Sequence, residues 1–240
     1  MRAHRTWNPV LAGGTLLAVS ALVVTGCGSS ASSTKPAATS SAASPVSSIA
    51  AEVPAAVKSK GTLTVAADAT YAPNEFIASD GHTVIGWDAD LAKALGQLLG
   101  LKISVVNATF DTIIPGLASG KYDLGMSSFT DTKERQKTVD FVDYYEAGTS
   151  FFVKSSGGPS ITSLSDLCGH KVSVEKGTTE QTDAEAQAAK CKSEGRPTVT
   201  VEIFNDQNAA NLALSSGRAD VAMADSPPAA YQVKLSNGVF

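Results

Sequence analysis

The most specific chemistry in this sequence lies in residues 126–135, where a short apolar segment is followed by small hydroxyl residues and an arginine. The pattern predicts a buried strand and then a helix that Asp131 and Glu134 cap, with Arg135 in the first turn. Helical side chains lean toward the helix N-terminus, so the guanidinium is expected to reach back to the strand end, where it can bind a carboxylate with two hydrogen bonds. The simpler alternative is a surface arginine that pairs with Asp131, four residues earlier.

Two further segments supply complementary polar groups. Gly177, Thr178 and Thr179 follow another apolar segment, and Thr178 with Gln181 matches a capping box, so this helix start is either an anion site or an ordinary cap. Asp225 ends a third apolar segment. It is predicted to be either a ligand-binding residue or a turn residue that precedes Pro227 and Pro228. An arginine and a helix N-terminus for a carboxylate, with an aspartate for an ammonium group, are what a free α-amino acid requires.

Residues 117–128 and 214–225 are conservatively altered copies of one another. Each copy predicts the end of a helix, a glycine cap, a basic residue and a short buried strand. Ligands gather beyond the carboxyl ends of strands in open α/β sheets, so Ser128 and Asp225 are candidates to face one another across a crevice between two similar lobes. Two ordinary strand–helix units without a shared site are the alternative.

Strands and helices alternate along the chain, which predicts an α/β protein with two lobes, each a mostly parallel sheet flanked by helices. Lobe 1 comprises residues 58–148 and lobe 2 comprises residues 149–240. Predicted strands are 61–68, 102–107 and 122–126 in lobe 1, and 149–154, 171–175, 199–204 and 219–223 in lobe 2. Predicted helices are 88–100, which Asp88 is expected to cap, 110–119, 179–194, 206–216 and one more after Pro228.

The N-terminus predicts export. Arg2 and Arg5 precede an apolar run at 10–24, and small residues then lead to Cys27. A positive start, a short apolar core and small residues are typical of a secretory signal, here residues 1–27. The end of this segment resembles the bacterial lipobox, in which Cys27 becomes the lipidated first residue, with an uncleaved membrane anchor as the alternative. Either way, the protein is expected at the outer face of the cytoplasmic membrane.

Amino-acid composition predicts a flexible segment after the signal and argues against one class of binding partner. Residues 28–57 are dominated by Ser, Ala, Thr and Pro, which predicts a flexible tether. Without Arg2 and Arg5, 17 basic and 23 acidic residues remain, a net charge of −6, which argues against a nucleic-acid partner.

Cys168 and Cys191 are the two thiols that remain after Cys27. Outside the cell a disulfide between them is predicted, with two free buried thiols as the alternative. No metal-ligand spacing, Ser-His-Asp order or nucleotide loop occurs in the sequence, so no catalytic residue, metal or cofactor is predicted.

Together these residues resemble the bacterial family 3 extracellular solute-binding proteins, over about residues 61–231. The motifs that carry the resemblance lie at 68–73, 86–92, 127–135, 177–179 and 217–220. The resemblance implies a two-lobed periplasmic-binding-protein-like fold of type II. It also implies a monomeric receptor that closes on a free polar amino acid and delivers it to the membrane permease of an ABC importer.

The family pattern also assigns roles to individual residues. Arg135 and the backbone at Thr130 and Thr179 would hold the ligand's α-carboxylate, and Ser128, Thr130 and Asp225 its α-ammonium group. Tyr71 and Trp87 would sandwich its carbon chain, and Asp68 would lie toward its side chain.

The chain departs from this family pattern in two places. Asn74 stands where the family usually has Phe, which predicts a more polar or more open aromatic box. The chain also stops at Phe240, before the family's usual end, so the C-terminal part of lobe 1 is expected to be missing.

A secreted dehydratase-like enzyme on the same fold and a ligand-sensing domain are the alternative functions. Asp225 argues against the enzyme, whose substrate would carry carboxylates but no ammonium group.

Overall fold

The computed structural model describes residues 46–240, so the predicted signal segment, Cys27 and most of the predicted tether lie outside the described residues. Lobe 1 consists of short helices followed by alternating strands and helices. In chain order these are α1 (Ser47–Glu52), α2 (Ala55–Lys60), β1 (Thr62–Ala67), β2 (Thr70–Tyr71), β3 (Glu75–Ile77), β4 (Val84–Ile85), α3 (Trp87–Leu99), β5 (Lys102–Asn107), α4 (Phe110–Ala118) and β6 (Leu124–Gly125).

The sheet of lobe 1 is parallel, with the strand order β5-β1-β6. Val65 at the centre of β1 is opposite Val105 on one side and Leu124 on the other, and it is fully buried. β2, β3 and β4 form a separate small antiparallel sheet. The parallel arrangement brings the carboxyl ends of β1 and β6 to the same edge, where Asp68 and Ser128 follow them.

Lobe 2 is built on a four-stranded sheet with the order β7-β10-β8-β9, in which only the pairing of β7 with β10 is antiparallel. Its core side chains, including Leu167, Val172, Val174 and Met223, are fully buried. The elements are β7 (Thr149–Val153), β8 (Lys171–Glu175), α5 (Thr179–Ser193), β9 (Thr200–Phe204), α6 (Gln207–Ser215), β10 (Val221–Asp225) and α7 (Ser226–Leu235). The predicted α/β architecture with two lobes is confirmed.

The sequence repeat corresponds to a structural repeat. Asp123 accepts a hydrogen bond from the backbone N–H of Thr64 at 2.7 Å, and Asp220 accepts the equivalent bond from the N–H of Lys171 at 2.9 Å. In each lobe this aspartate ties the start of one strand to the loop that leads into its parallel neighbour. The two copies therefore place the residues after β6 and β10 in equivalent positions.

The predicted disulfide is present. Cys168 and Cys191 are bonded, with their Cα atoms 5.8 Å apart, within the range that a disulfide requires. The bond joins the loop before β8 to the last turns of α5, and Cys191 is fully buried in the core of lobe 2.

Three local predictions differ from the structure. The helix expected from Asp131 is reduced to a single 3-10 turn, Arg135–Lys137, because the Asp131 carboxylate accepts from the side chain of Gln136 at 2.7 Å instead of capping the backbone. The helix expected to be capped by Asp88 is α3, which begins at Trp87, after Gly86 in the capping position.

The predicted tether also ends earlier than expected. Residues 47–52 and 55–60 form α1 and α2, and the backbone N–H of Val46 donates to the carbonyl of Leu98 at 3.1 Å, which holds this segment against α3. No helix in the described range, 46–240, is long and apolar enough to cross a membrane.

Candidate functional site

The carboxyl ends of the strands in both lobes face a common small cavity. Its free volume of about 20 Å³ corresponds to about one water molecule, so an amino acid enters only if the lobes separate. It is lined by Tyr71, Phe110, Ser128, Thr130, Arg135, Thr178, Thr179, Glu180, Gln207, Ala224 and Asp225. Six of the eight predicted ligand-binding residues are thus brought together, and Asp68 and Trp87 are not among the lining residues.

Arg135 reaches the cavity from lobe 1. Its Nη1 donates to the carbonyl of Thr130 at 2.8 Å, and its Nη2 donates to the carbonyl of Gly177 in lobe 2 at 3.0 Å. The guanidinium lies 5.2 Å from the ring centroids of both Phe110 and Phe129, within cation–π range. Burial lowers the pKa of Arg135, and the negative charges of Glu180 and Asp225 oppose this shift. The guanidinium is therefore bound to carbonyls of both lobes, and the alternative pairing with Asp131 is not formed.

The N-terminus of α5 borders the cavity from lobe 2. Thr178 caps this helix by accepting from the N–H of Gln181 at 3.2 Å, as predicted. The return bond differs from a capping box, because the Gln181 side chain accepts from the N–H of Gly177 at 2.7 Å. Thr179 and Glu180 then line the cavity, and the positive end of the helix dipole points toward it.

Asp225 supplies a negative charge on the same side. It occupies the position before α7, yet its side chain forms no capping hydrogen bond, so the alternative role as a helix cap is not realised. Burial and, to a smaller extent, the neighbouring charge of Glu180 raise the pKa of Asp225 to about 7, against the opposing effect of Arg135. Glu180 itself accepts from the hydroxyl of Thr149 at 2.7 Å. The cavity is therefore lined by both cationic and anionic side chains.

Ser128 is held in an unusual backbone conformation. Its φ of 54° lies in the left-handed region, which is strained for a residue with a side chain. Its hydroxyl accepts from the Asn74 side chain at 2.8 Å, and its backbone N–H bonds to the Asp88 carboxylate. Asn74 is fully buried and also accepts from the indole N–H of Trp87 at 2.9 Å. Asn74 thus contacts both Ser128 and Trp87, and the more polar or more open aromatic box stays a prediction.

The aromatic residues of the cavity differ from the predicted pair. Trp87 packs edge-on against Tyr144 and Tyr145, with centroids 5.7 and 4.8 Å away, outside the cavity lining. The ring that meets Tyr71 is Phe110, at 5.9 Å between centroids. Sequence reasoning missed Phe110, although its place at the helix start directly after β5 is a position that favours ligand contact.

Asp68 lies one layer behind the cavity wall. It is buried, and its two carboxylate oxygens accept from the Thr70 hydroxyl at 2.6 Å and from the N–H of Phe110 at 2.9 Å. Glu175, the last residue of β8 in lobe 2, is fully buried. Its carboxyl group lies close to the carboxyl group of Asp68 and to the hydroxyl group of Tyr71. Burial raises the pKa of Glu175 to about 10, and the charge of Asp68 adds to the shift.

Glu175 was missed by sequence reasoning. The available signal was an acidic residue at the carboxyl end of an otherwise apolar strand.

Further contacts join the two lobes around the cavity. Lys176 pairs with Asp111 at 2.7 Å, and the backbone N–H of Gln207 donates to the Thr70 hydroxyl at 3.2 Å. At Gly177, a Cβ atom would lie 3.0 Å from the Cβ of Asp111, so this contact requires glycine. Direct contacts between the lobes therefore surround part of the cavity.

The fold and the site define a class: two-lobed α/β binding proteins whose site lies between the lobes at the carboxyl ends of the strands. Residues 63–196 match the model of the bacterial extracellular solute-binding proteins, family 3, and the chain belongs to that family.

Curated relatives with stated ligands are similar over most of this chain. The arginine-binding protein ArgT of Corynebacterium glutamicum is 35% identical over 81% of this chain. The L-arginine-binding protein of Pseudomonas aeruginosa is 33% identical over 66% of this chain. The histidine-binding periplasmic protein of Escherichia coli is 32% identical over 67% of this chain. The chain spans 64%, 59% and 59% of the lengths of these three relatives. They are named as binding proteins.

Solved structures agree with the fold. An ancestral arginine-binding protein bound to arginine superposes with a TM-score of 0.67 at 41% identity, covering 75% of this chain and 76% of that one. An ancestral amino acid-binding protein described as a precursor of cyclohexadienyl dehydratase superposes with a TM-score of 0.68 at 40% identity, covering 75% and 77%.

Proposed function

We propose that this chain binds a free amino acid between its lobes and delivers it to the permease of an ABC importer. The observation that carries the proposal is the placement of Arg135 from lobe 1 and Asp225 from lobe 2 on one cavity, with the N-terminus of α5 beside them. A guanidinium and a helix N-terminus suit an α-carboxylate, and a buried carboxylate suits an α-ammonium group.

The ligand side chain is cationic in this proposal, and L-arginine is the ligand. Three carboxyl groups, those of Asp68, Glu175 and Asp206, interact with one another behind the wall formed by Tyr71 and Phe110. This cluster favours a guanidinium over an acidic or apolar side chain. The arginine-binding names of relatives from several bacteria support the same choice.

No catalytic step is part of the proposal. An enzyme substrate that carries carboxylates but no ammonium group would leave the buried Asp225 without a cationic partner from the ligand. The neighbour described as a dehydratase precursor is itself an amino acid-binding protein, which agrees with a binding role. The monomeric receptor is held at the outer face of the membrane by a lipid on Cys27.

Calorimetric titration and thermal-shift measurements with the common amino acids test the proposal. A ligand at about 100 times its Kd stabilises the folded state by about 2.7 kcal/mol, which gives a clear rise in Tm. We expect the largest rise with L-arginine, smaller rises with lysine, histidine and glutamine, and none with glutamate. Strongest binding of an acidic amino acid, or of none, would contradict the proposal.

A further inference from the structure

Two acidic side chains from different lobes meet behind the cavity. Asp68 follows β1 of lobe 1, and Glu175 ends β8 of lobe 2; their exposures are 2% and 0%. Glu175 approaches the Asp68 carboxyl and the Tyr71 hydroxyl, yet neither of its oxygens receives a hydrogen bond of normal geometry from the described residues. A buried ionised carboxylate without hydrogen-bond donors is strongly disfavoured. Glu175 must therefore be either protonated or neutralised by a bound cation.

The surroundings of the pair decide which carboxyl holds the proton. Asp68 accepts two hydrogen bonds, from the Thr70 hydroxyl and the N–H of Phe110, which stabilise its ionised form. Glu175 faces Asp68 and the carboxylate of Asp206 at the start of α6, and burial together with these two negative groups disfavours its ionised form. The Tyr71 phenol acts in the opposite direction, but its effect is smaller than those of burial and of the Asp68 charge. The nearest ammonium group along the chain, that of Lys176, is paired with Asp111.

The pair is connected to the cavity by the residues that line it. Phe110 donates its N–H to Asp68, and the Tyr71 hydroxyl faces Glu175. When the lobes separate, Glu175 moves away from Asp68 because the two belong to different lobes. Because Tyr71 and Phe110 line the cavity and contact these carboxyls, a ligand side chain that enters beside the two rings before the lobes close would approach both carboxyls.

We propose, resting on the proposed function, that Asp68 and Glu175 share one proton in the ligand-free protein when its lobes are closed, and that a cationic ligand side chain replaces this proton, which is released to solvent. The charge of the pair then changes from −1 to −2 as the ligand brings +1. A ligand with a neutral side chain leaves the proton in place. Glu175 is then the residue that makes the affinity for a cationic ligand depend on pH.

Proton counting by calorimetry tests the inference. L-arginine is titrated into the purified receptor at about pH 8 in buffers of different ionisation enthalpy, a pH at which Asp225, with a pKa of about 7, is already mostly ionised. We expect the wild-type protein to release about one proton more per arginine than Glu175→Gln. Glu202→Gln, which alters a carboxylate paired with Arg218 away from the cavity, is the matched control and should release as many protons as the wild type.

Infrared difference spectroscopy of the wild-type protein gives a second readout that needs no variant. At the same pH, arginine should remove the carbonyl band of a protonated carboxyl group. A band that persists, or equal proton release from wild type and Glu175→Gln, would overturn the inference while leaving arginine binding intact. Failure of the wild type to bind arginine would overturn the proposed function and this inference with it.

Discussion

Arg135 and Asp225 are the two charged side chains that approach the cavity from opposite lobes. The guanidinium is held by carbonyl oxygens, and the Asp225 carboxyl has a pKa near 7 because it is buried beside Glu180. An oppositely charged partner would stabilise the Arg135 guanidinium better than carbonyl oxygens do, and would stabilise the ionised Asp225 carboxylate better than its present neighbours do. A zwitterion placed between them would supply both missing partners at once.

Truncation of either residue should leave the opposite ligand charge buried and unpaired. We expect Arg135→Ala and Asp225→Ala each to weaken amino-acid binding by about 2–5 kcal/mol, roughly 30- to 5,000-fold in Kd. Isothermal titration calorimetry provides the measurement. The exposed Arg196 and Asp90 supply controls, and Arg196→Ala and Asp90→Asn should bind normally. Near-normal affinity in the first two variants would mean that the site is placed wrongly.

Amino-acid affinity should depend on pH through Asp225. Its pKa is raised to about 7 in the ligand-free protein, and a bound ammonium group lowers it, so protons compete with the ligand below about pH 7. Kd should therefore rise as pH falls from about 7 toward 5, and Asp225→Asn should lose this part of the dependence. The effect on folding has the opposite sign: the raised pKa of Asp225 stabilises the ligand-free fold at low pH, and that contribution is lost as pH rises through about 7. A Kd in the wild type that does not vary below pH 7 would contradict the assignment.

At the scale of elements, the loop between β8 and α5 joins the two lobes. Gly177 has a φ of 81°, its carbonyl accepts from Arg135, and its N–H donates to the Gln181 side chain. The next residue along, Thr178, caps α5. One short loop thus positions the helix N-terminus and the contact with Asp111 of lobe 1 at the same time.

Gly177→Ala should hinder closure of the lobes. The new methyl group would lie 3.0 Å from the Cβ of Asp111, and alanine at positive φ costs about 1–2 kcal/mol in addition. Gly195→Ala is a matched control, because Gly195 has a φ of 69° with no atom within 4 Å of the new Cβ. We expect both variants to lose a similar amount of thermal stability, measured as Tm, and only Gly177→Ala to lose ligand affinity. Equal affinities would show that this contact is not needed for binding.

At the scale of the whole molecule, the lobes meet through direct contacts around a cavity too small for an amino acid. The ion pair between Lys176 and Asp111 and the bond from Arg135 to Gly177 lie on this boundary. Because these contacts are few and polar, a ligand that offers better partners can replace some of them. If the chain binds an amino acid in this cavity, as proposed, the lobes must therefore open and close around it.

The whole protein is also expected to carry a lipid. Mass spectrometry of the natural product should find Cys27 as the first residue, modified by lipid, because residues 24–27 follow a short apolar run. An unmodified Cys27 behind an intact N-terminus, in a host that processes lipoproteins, would contradict this prediction. Replacement of Cys27 by Ser should release the protein from the membrane fraction.

Much of the architecture was predictable because it depends on local patterns. Apolar periodicity located the strands and helices, and the repeat at 117–128 and 214–225 indicated equivalent strand ends. The errors are also local: Asp131 bonded to a neighbouring side chain rather than to the backbone, and residues 47–57 formed short helices. Both outcomes depend on competing hydrogen bonds and on a packing surface that composition does not reveal.

The sequence by itself predicted the approximate strand ends and the charges of Arg135 and Asp225, because residue type and order along a strand indicate them. It also predicted the disulfide partners, because Cys168 and Cys191 are the two cysteines that follow Cys27. Only the tertiary structure decided which aromatic ring meets Tyr71, and that Asn74 supports Ser128 from behind. Only the tertiary structure likewise brought Glu175 of one lobe against Asp68 of the other. Such contacts join residues far apart in the chain, and burial, which changes the pKa of a carboxyl, is a property of the packed lobes and not of the residue.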